Sequence, residues 1–239
     1  MYAEFAVAKI GKYATSESGD TVEMIERPHG GMSFVMADGQ RSGRSAKAIS
    51  NIVTRKVIAL LGEGARDGVA ARAAHDYLFA MRGGKVRADL QILSVDMDSR
   101  TVVISRNTDC AALFIQDKTI RYLDEPSQPI GIYKTTRPVI HELSLQPSTG
   151  VVLFSDGIRH AGSRTNKQFE VATVLEPLLL ENTISAQALA DHLLATAHAA
   201  DNGFALDDLT VLTLYIHPAP PDDVRRLRVV VPLPHLNIK

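Results

Sequence analysis

Hydrophobic and polar residues alternate along the first forty positions in the pattern of β-strands. The segment "AEFAVAKI" alternates with a period of two, and "TVEMIERPHGGMSFVMA" contains two such segments around a Pro-His-Gly-Gly turn. A turn near His29 and Gly30 would pair residues whose numbers sum to about 59. This register places Asp20 opposite Gly39, with Asp38 next to that pair. Both acids are therefore predicted at the open end of one hairpin.

The apolar positions change from strand spacing to helix spacing at Ser45. From there to Leu61 they recur on one face of a helix, which Gly62 and Gly64 end. A second helix around 69–81 ends at a Gly-Gly pair. Because the two helices are consecutive, they predict a helical layer and not a strand-helix-strand crossover.

Short strands with short connections occupy the middle of the chain. They are "VRADLQILSVDMD", "TVVISRN", "AALFIQD", "TIRYLD", "VIHELSL" and "GVVLFSDG". Connections this short predict antiparallel pairing. Two helical segments follow near 167–180 and 185–200, and a last strand, "LTVLTLYI", ends at Ile216. Because strands and helices come in blocks, the pattern predicts an α+β fold with helices packed on antiparallel sheets.

Residues 217–239 differ from the rest of the chain, because they hold five of its eleven prolines and a basic stretch followed by an apolar one. We expect a tail that packs back on the domain or adds an edge strand. The alternative is a segment that docks a partner or a second copy.

Composition narrows the function classes. A net charge of −1 over 239 residues gives no basic field for nucleic acid or an anionic membrane. The lone cysteine, Cys110, excludes an internal disulfide and favours a cytoplasmic protein, and its segment predicts a buried strand position. No apolar run approaches the roughly 18 residues of a membrane span, and the start lacks the apolar core of a signal peptide.

Acidic residues lie at the ends of several predicted strands. Asp38 follows "MSFVMA", Asp156 ends "VVLFSDG", and Asp207 and Asp208 precede the last strand. Taken singly, each is more often a turn or solvated-loop residue than a metal ligand. If they converge, two carboxylates about 4 Å apart repel by roughly 4 kcal/mol at an effective dielectric near 20. Protonation or divalent cations would then have to compensate the charge.

Such a site would offer only oxygen ligands, which favours Mg²⁺ or Mn²⁺ over Zn²⁺. Gly39 would let its own carbonyl oxygen approach a metal closely. Two ions bridged by Asp38 would lower the pKa of a bound water and give a hydroxide suited to attack on a phosphate ester.

Five segments in consistent order resemble one known family. They are "SGDT" at 18–21, "MADGQRSGRSA" at 36–46, "PSQPIG" at 126–131, "LFSDGIRHA" at 153–161 and "LDDLTVLTLYI" at 206–216. Together they resemble the metal-dependent protein Ser/Thr phosphatases (PPM family), in the branch similar to the bacterial sporulation stage II E phosphatase. The resemblance extends from about residue 5 to residue 216 and implies a single phosphatase domain over 1–216, followed by the 217–239 tail.

The resemblance implies a central antiparallel β-sandwich flanked by helical layers, with two Mn²⁺ or Mg²⁺ ions at one edge. The implied metal ligands are Asp20, Asp38, Gly39, Asp156, Asp207 and Asp208. Asp38 would bridge the ions with the Gly39 carbonyl on one of them, Asp156 and Asp207 would hold the other, and these three acids would be the catalytic residues. Asp20 would support the cluster, and Asp208 ranks second to Asp207.

Arg41 departs from the family pattern, because relatives usually have glycine there. A cation at this place either binds the substrate phosphate or marks an altered specificity. His160, four residues after Asp156, is either a general acid or an exposed polar residue.

These features predict a Mn²⁺- or Mg²⁺-dependent phosphoserine/phosphothreonine protein phosphatase. By analogy with relatives, it would act on a small regulator of a bacterial partner-switching pathway, such as an anti-sigma-factor antagonist or a stress-complex scaffold protein. No nucleic-acid or membrane partner is expected. One alternative is a phosphatase-fold binding module with weak or no activity, and another is a metal-dependent phosphodiesterase or small-molecule phosphatase.

Overall fold

The computed structural model of the protein describes residues 1–181, 184–219 and 222–232, in which the chain forms ten strands and five helices. The strands are β1 Tyr2–Ile10, β2 Asp20–Glu26, β3 Gly31–Gly39, β4 Ala88–Asp96, β5 Thr101–Asn107, β6 Ala112–Gln116, β7 Thr119–Leu123, β8 Val139–Ser144, β9 Thr149–Phe154 and β10 Leu209–His217. The helices are α1 Gly43–Gly62, α2 Asp67–Arg82, α3 Asp156–Arg159, α4 Val171–Leu179 and α5 Ala186–Ala200. None of these helices is both long and apolar enough to cross a membrane.

Two five-stranded antiparallel sheets form the centre of the fold. One has the order β1-β10-β9-β6-β7 and the other β2-β3-β4-β5-β8. Their inner faces pack together through side chains such as Met36 and Leu93 from one sheet and Leu153 and Leu212 from the other. The predicted α+β sandwich flanked by helices is therefore confirmed.

Each sheet buries its outer face under helices. On α1, buried residues recur every four positions at Ile49, Val53, Val57 and Leu61, and this stripe packs on β2 and β3. Helices α4 and α5 cover the other sheet through a second apolar cluster. The result is four layers, in which the two sheets lie between two layers of helices.

The β2–β3 register differs by one residue from the prediction. Asp20 lies directly opposite Asp38, and not opposite Gly39. The turn is centred on His29 alone, which has φ +65°, and the Arg27 N–H donates to the Gly31 carbonyl at 3.3 Å. The correction places the two carboxylates on paired residues at the open end of the hairpin.

Two other local expectations also need correction. Strand β9 ends at Phe154, so Asp156 is the first residue of the short helix α3 and not the end of a strand. Cys110 is buried as predicted, but it lies in the turn between β5 and β6.

The described part of the 217–239 segment beyond β10 forms neither helix nor strand. Its apolar residues 229–231 are exposed, and Arg225 pairs with Glu26 at 2.6 Å. Residues 220–221 and 233–239 lie outside the described residues, so the role of the segment stays a prediction.

Candidate active site

Four carboxylates line one cavity of about 180 Å³ at an edge of the sandwich. Asp38 lies near the end of β3, and Asp89 lies opposite it near the start of β4. Asp156 begins α3, and Asp207 comes two residues before β10. Because antiparallel neighbours end and begin at the same edge, residues far apart in the chain meet here.

Asp89 was not among the acids singled out from the sequence. It lies near the start of the segment "ADLQIL", as Asp20 lies at the start of β2, so the available signal was an acid at the beginning of an apolar strand. Burial raises the pKa of Asp89 to about 6, although a hydrogen bond from Thr108 Oγ1 at 2.7 Å opposes the shift. The charge of Asp156 raises this pKa further.

Asp38 is the most perturbed acid of the cavity. Burial, followed by the charges of Asp20, Asp156 and Asp89, raises the pKa of Asp38 to about 11. Burial also raises the pKa of Asp20 to about 7, against a hydrogen bond of 2.5 Å that Thr210 Oγ1 donates to its Oδ2. The Oδ1 atom of Asp20 is buried and has no hydrogen-bond partner among the described residues.

Asp20 lies behind the cavity and does not line it. Two lysines support it from β1 and α1, because the Lys9 and Lys47 ammonium groups both donate to the Asp20 carbonyl oxygen, at 2.5 and 2.8 Å. Burial and the neighbouring Lys47 lower the pKa of Lys9, whereas Asp20, Asp208 and Asp38 oppose that shift. The rear of the carboxylate cluster thus has fixed cations nearby.

Asp207 and Asp208 have different surroundings in the structure. Asp208 is buried, and its two oxygens accept hydrogen bonds from the backbone N–H groups of Lys12 at 2.9 Å and Gly19 at 2.8 Å. Asp207 lines the cavity with 47% of its side chain exposed, and its Oδ1 lies 3.5 Å from Lys12 Nζ. Asp208 therefore joins two loops, while the carboxylate of Asp207 faces the cavity.

Three cationic residues share the cavity with the acids: Lys12, Arg41 and Arg87. Arg41 has φ +76°, a left-handed conformation that favours glycine. Arg87, which was also missed from the sequence, is held by Gln40. The Gln40 N–H donates to the Arg87 carbonyl, and the Arg87 N–H donates to Gln40 Oε1, both at 3.2 Å.

Gly39 lines the cavity where the start of α1 comes closest. A Cβ atom on it would lie 2.0 Å from the Ala46 carbonyl oxygen, so no larger residue fits without moving the helix. Metal binding by its carbonyl stays a prediction.

His160 does not line the cavity. Its ring is exposed, and Nδ1 lies 2.9 Å from the carbonyl oxygen of Asp156. The general-acid hypothesis thus gains no support, and the polar surface role fits this position.

A larger cavity, of about 920 Å³, lies at the opposite end of the strands, beside the β2–β3 turn and the start of α2. Both acids and arginines line it, and its most buried acid, Asp67, is already paired with Arg27 at 2.8 Å. The smaller cavity is the better candidate, because two of its acids, Asp38 and Asp89, have pKa values raised by burial and by neighbouring carboxylates.

The cavity residues fit hard divalent cations. Its acids offer only oxygen ligands, and ionising all of them in a buried space requires positive charge. Within the described residues, no three His, Cys, Asp or Glu side chains converge on one point.

Comparisons with known proteins agree with this picture. The model of the family described as "Stage II sporulation protein E (SpoIIE)" matches residues 28–217. No curated protein sequence matches the chain.

Three solved structures with similar folds were compared. The phosphatase domain with a regulatory-domain fragment of SpoIIE from Bacillus subtilis gives a TM-score of 0.79 at 18% identity, over 90% of this chain and 64% of that one. RsbX in complex with magnesium gives 0.67 at 14%, over 89% and 94%. The catalytic domain of the serine/threonine phosphatase PstP in complex with two manganese ions gives 0.66 at 14%, over 90% and 98%. At these identities the likeness establishes the fold.

Proposed function

Because the chain belongs to the stage II sporulation protein E family, as its sequence predicted, we propose that it is a metal-dependent phosphatase of phosphoserine and phosphothreonine in proteins. The observation that carries the proposal is the single cavity lined by Asp38, Asp89, Asp156 and Asp207 together with two arginines. An acid cluster with nearby cations suits both metal ions and a phosphate dianion.

Mn²⁺ or Mg²⁺ would be held by Asp38, Asp156 and Asp207, with Asp89 as an additional ligand. We expect two ions, in line with the magnesium and manganese complexes of the related folds. When bound, such ions would neutralise phosphate charge and lower the pKa of a coordinated water. Asp20 and Asp208 would act behind the cavity: Asp20 is buried against β3, and Asp208 fixes the loops at Lys12 and Gly19.

Arg41 and Arg87 would bind and orient the phosphate group. Both are exposed at the cavity and form no salt bridge within the described residues, so their guanidinium groups are available to a dianion. Ser42, at the N-terminus of α1, lines the same cavity, and its side chain does not cap the helix. Backbone N–H groups at a helix start add favourable charge for an anion.

The proposed substrate is a small phosphorylated regulatory protein of the bacterial cytoplasm. An anti-sigma-factor antagonist or a stress-complex scaffold protein would fit, by analogy with the family.

Hydrolysis of p-nitrophenyl phosphate with Mn²⁺, Mg²⁺ or EDTA tests the proposal, with Asp207→Asn and Asp208→Asn as a matched pair. The wild type should need the metal. Asp207→Asn should lower kcat/KM by about 10²–10³ with little change in stability, because it removes cavity charge. Asp208→Asn should lower the free energy of unfolding by about 1–3 kcal/mol, because one backbone N–H loses its acceptor. No turnover with either metal would favour the binding module, and turnover that persists in EDTA would contradict the metal-dependent mechanism.

Arg41→Gly should change stability and activity in opposite directions. Glycine relieves the left-handed strain at φ +76°, which is worth about 1 kcal/mol, so the melting temperature should rise. Loss of the guanidinium should raise KM for p-nitrophenyl phosphate by about tenfold. Ser148→Gly is the control, because Ser148 has φ +61° in an exposed turn outside the cavity. It should become more stable with an unchanged KM, and an unchanged KM in Arg41→Gly would contradict the phosphate-binding role.

A further inference from the structure

Two exposed aromatic rings are in contact on two loops that also carry residues of the cavity. Tyr13 and Phe204 lie edge to face, with ring centroids 5.0 Å apart and an interplanar angle of 80°. Their exposed fractions are 65% and 50%. Among the ring pairs of the described residues, this is the one in which both rings are exposed. Single exposed aromatics are ordinary, but a packed pair presents a continuous apolar surface to solvent.

Backbone hydrogen bonds restrain the two loops that carry the rings. The Tyr13 N–H donates to the Ala205 carbonyl at 2.8 Å, which ties the two loops together. Asn202 and Gly203 have φ +58° and +78°, and the Phe204 N–H donates to the Asp201 carbonyl at 3.2 Å.

Further contacts fix the loop that carries Phe204. Lys167 Nζ donates to Asn202 Oδ1 at 2.8 Å, and the buried carboxylate of Asp201 accepts from the Gly162 N–H at 2.9 Å. Loops restrained in this way lose little conformational entropy when a partner binds.

Tyr13 and Phe204 are each close in the chain to a residue that lines the cavity. Lys12, which lines the cavity, directly precedes Tyr13, and Asp207 comes three residues after Phe204. Three residues span at most about 10 Å. A bound peptide in extended conformation advances by about 3.3 Å per residue. A side chain two or three residues from the phosphorylated position can therefore reach the rings.

We propose that Tyr13 and Phe204 form a docking surface for the substrate protein, where they bind an apolar side chain two or three residues from its phosphoserine or phosphothreonine. The proposal rests on the function proposed above and adds a sequence requirement to the substrate. Neither ring lines the cavity, so the surface contributes to recognition of the flanking residues and not to hydrolysis of the ester.

Two phosphoserine peptides test the docking surface. One has leucine at the second and third positions on both sides of the phosphoserine, and the other has serine at those positions. With Mn²⁺, the wild type should prefer the leucine peptide by about tenfold in kcat/KM, as expected for burial of one leucine-sized contact. The double variant Tyr13→Ala/Phe204→Ala should lose this preference while its kcat/KM for p-nitrophenyl phosphate stays unchanged. Tyr77→Ala, at an exposed ring on α2, should behave as the wild type.

The failures can be told apart. Wild-type hydrolysis of p-nitrophenyl phosphate without a leucine preference would overturn the docking surface and leave the phosphatase standing. A double variant that loses p-nitrophenyl phosphate hydrolysis would show a structural role and also overturn it. If the wild type hydrolyses nothing, anisotropy of the fluorescein-labelled leucine peptide decides: weaker binding by the double variant supports the surface, and equal binding contradicts it.

Discussion

Asp38→Asn is expected to abolish metal-dependent hydrolysis and to stabilise the metal-free protein. Asp38 is half-buried beside Asp20, Asp89 and Asp156, and burial together with their charges raises its pKa to about 11. The amide of asparagine is uncharged and has the shape of the protonated carboxyl group, so the fold should accept it. The substitution removes a proposed metal ligand and its charge, so kcat/KM for p-nitrophenyl phosphate should fall by about 10³ or more.

The pH dependence of stability explains why Asp38→Asn should be more stable than the wild type in the absence of metal. In the unfolded chain the carboxyl of Asp38 titrates near its ordinary pKa of 3.8, and in the folded chain near 11. Between these values the folded state binds more protons, so the free energy of unfolding falls as pH rises. Asp89 and Asp20, with pKa values raised to about 6 and 7, contribute to the same fall at lower pH.

Urea unfolding in EDTA at pH 5, 7 and 9 measures the effect. The wild-type midpoint should fall across the series. The midpoint of Asp38→Asn should fall between pH 5 and 7 and change little between pH 7 and 9. Asp76→Asn, at a side chain that is 78% exposed on α2, should follow the wild type in both activity and stability. A less stable Asp38→Asn protein at pH 9 would contradict the assignment of buried, mutually repelling carboxylates.

Arg27→Met is expected to destabilise the protein by about 3–5 kcal/mol, because it leaves a buried carboxylate without its partner. Arg27 Nη1 lies 2.8 Å from Asp67 Oδ2, and the two side chains are 7% and 5% exposed. Ser94 Oγ donates to the other Asp67 oxygen, and Arg27 Nη2 donates to the Ala65 carbonyl at 3.2 Å. The pair joins the β2–β3 turn to the start of α2 at the end of the strands opposite the cavity.

The double variant Arg27→Met/Asp67→Leu distinguishes the cost of an unpaired buried charge from a general loss of packing. Removing both charges should recover most of the stability lost in Arg27→Met, because no unpaired buried charge remains. Denaturant midpoints of the three proteins measure the stability. Their kcat/KM for p-nitrophenyl phosphate, corrected for the folded fraction, should be equal because the pair is remote from the cavity. A loss below about 1 kcal/mol in Arg27→Met would place the pair with weak surface bridges.

Local pattern was enough to predict much of the fold. The alternation before Ile10 and around the His29 turn predicted β1, β2 and β3, and the four-residue apolar spacing predicted α1. These elements are recognisable because the side-chain period depends only on the backbone conformation of the segment. The same pattern places Asp38 and Asp207 at the ends of apolar strands, where they line the cavity.

Tertiary structure alone decided which side chains meet. Asp89 and Arg87 belong to the cavity because β4 pairs with β3 in a register that sets Asp89 opposite Asp38. Asp207 and Asp208 are neighbours in sequence, yet only Asp208 accepts hydrogen bonds from the backbone of two distant loops. The donors, Lys12 and Gly19, lie 196 and 189 positions away in the chain. The sequence alone determined most of the elements and the chemistry of the side chains at their ends, because these follow from local periodicity and residue type. Pairing register and burial depend on distant contacts, and only the folded chain brings those together.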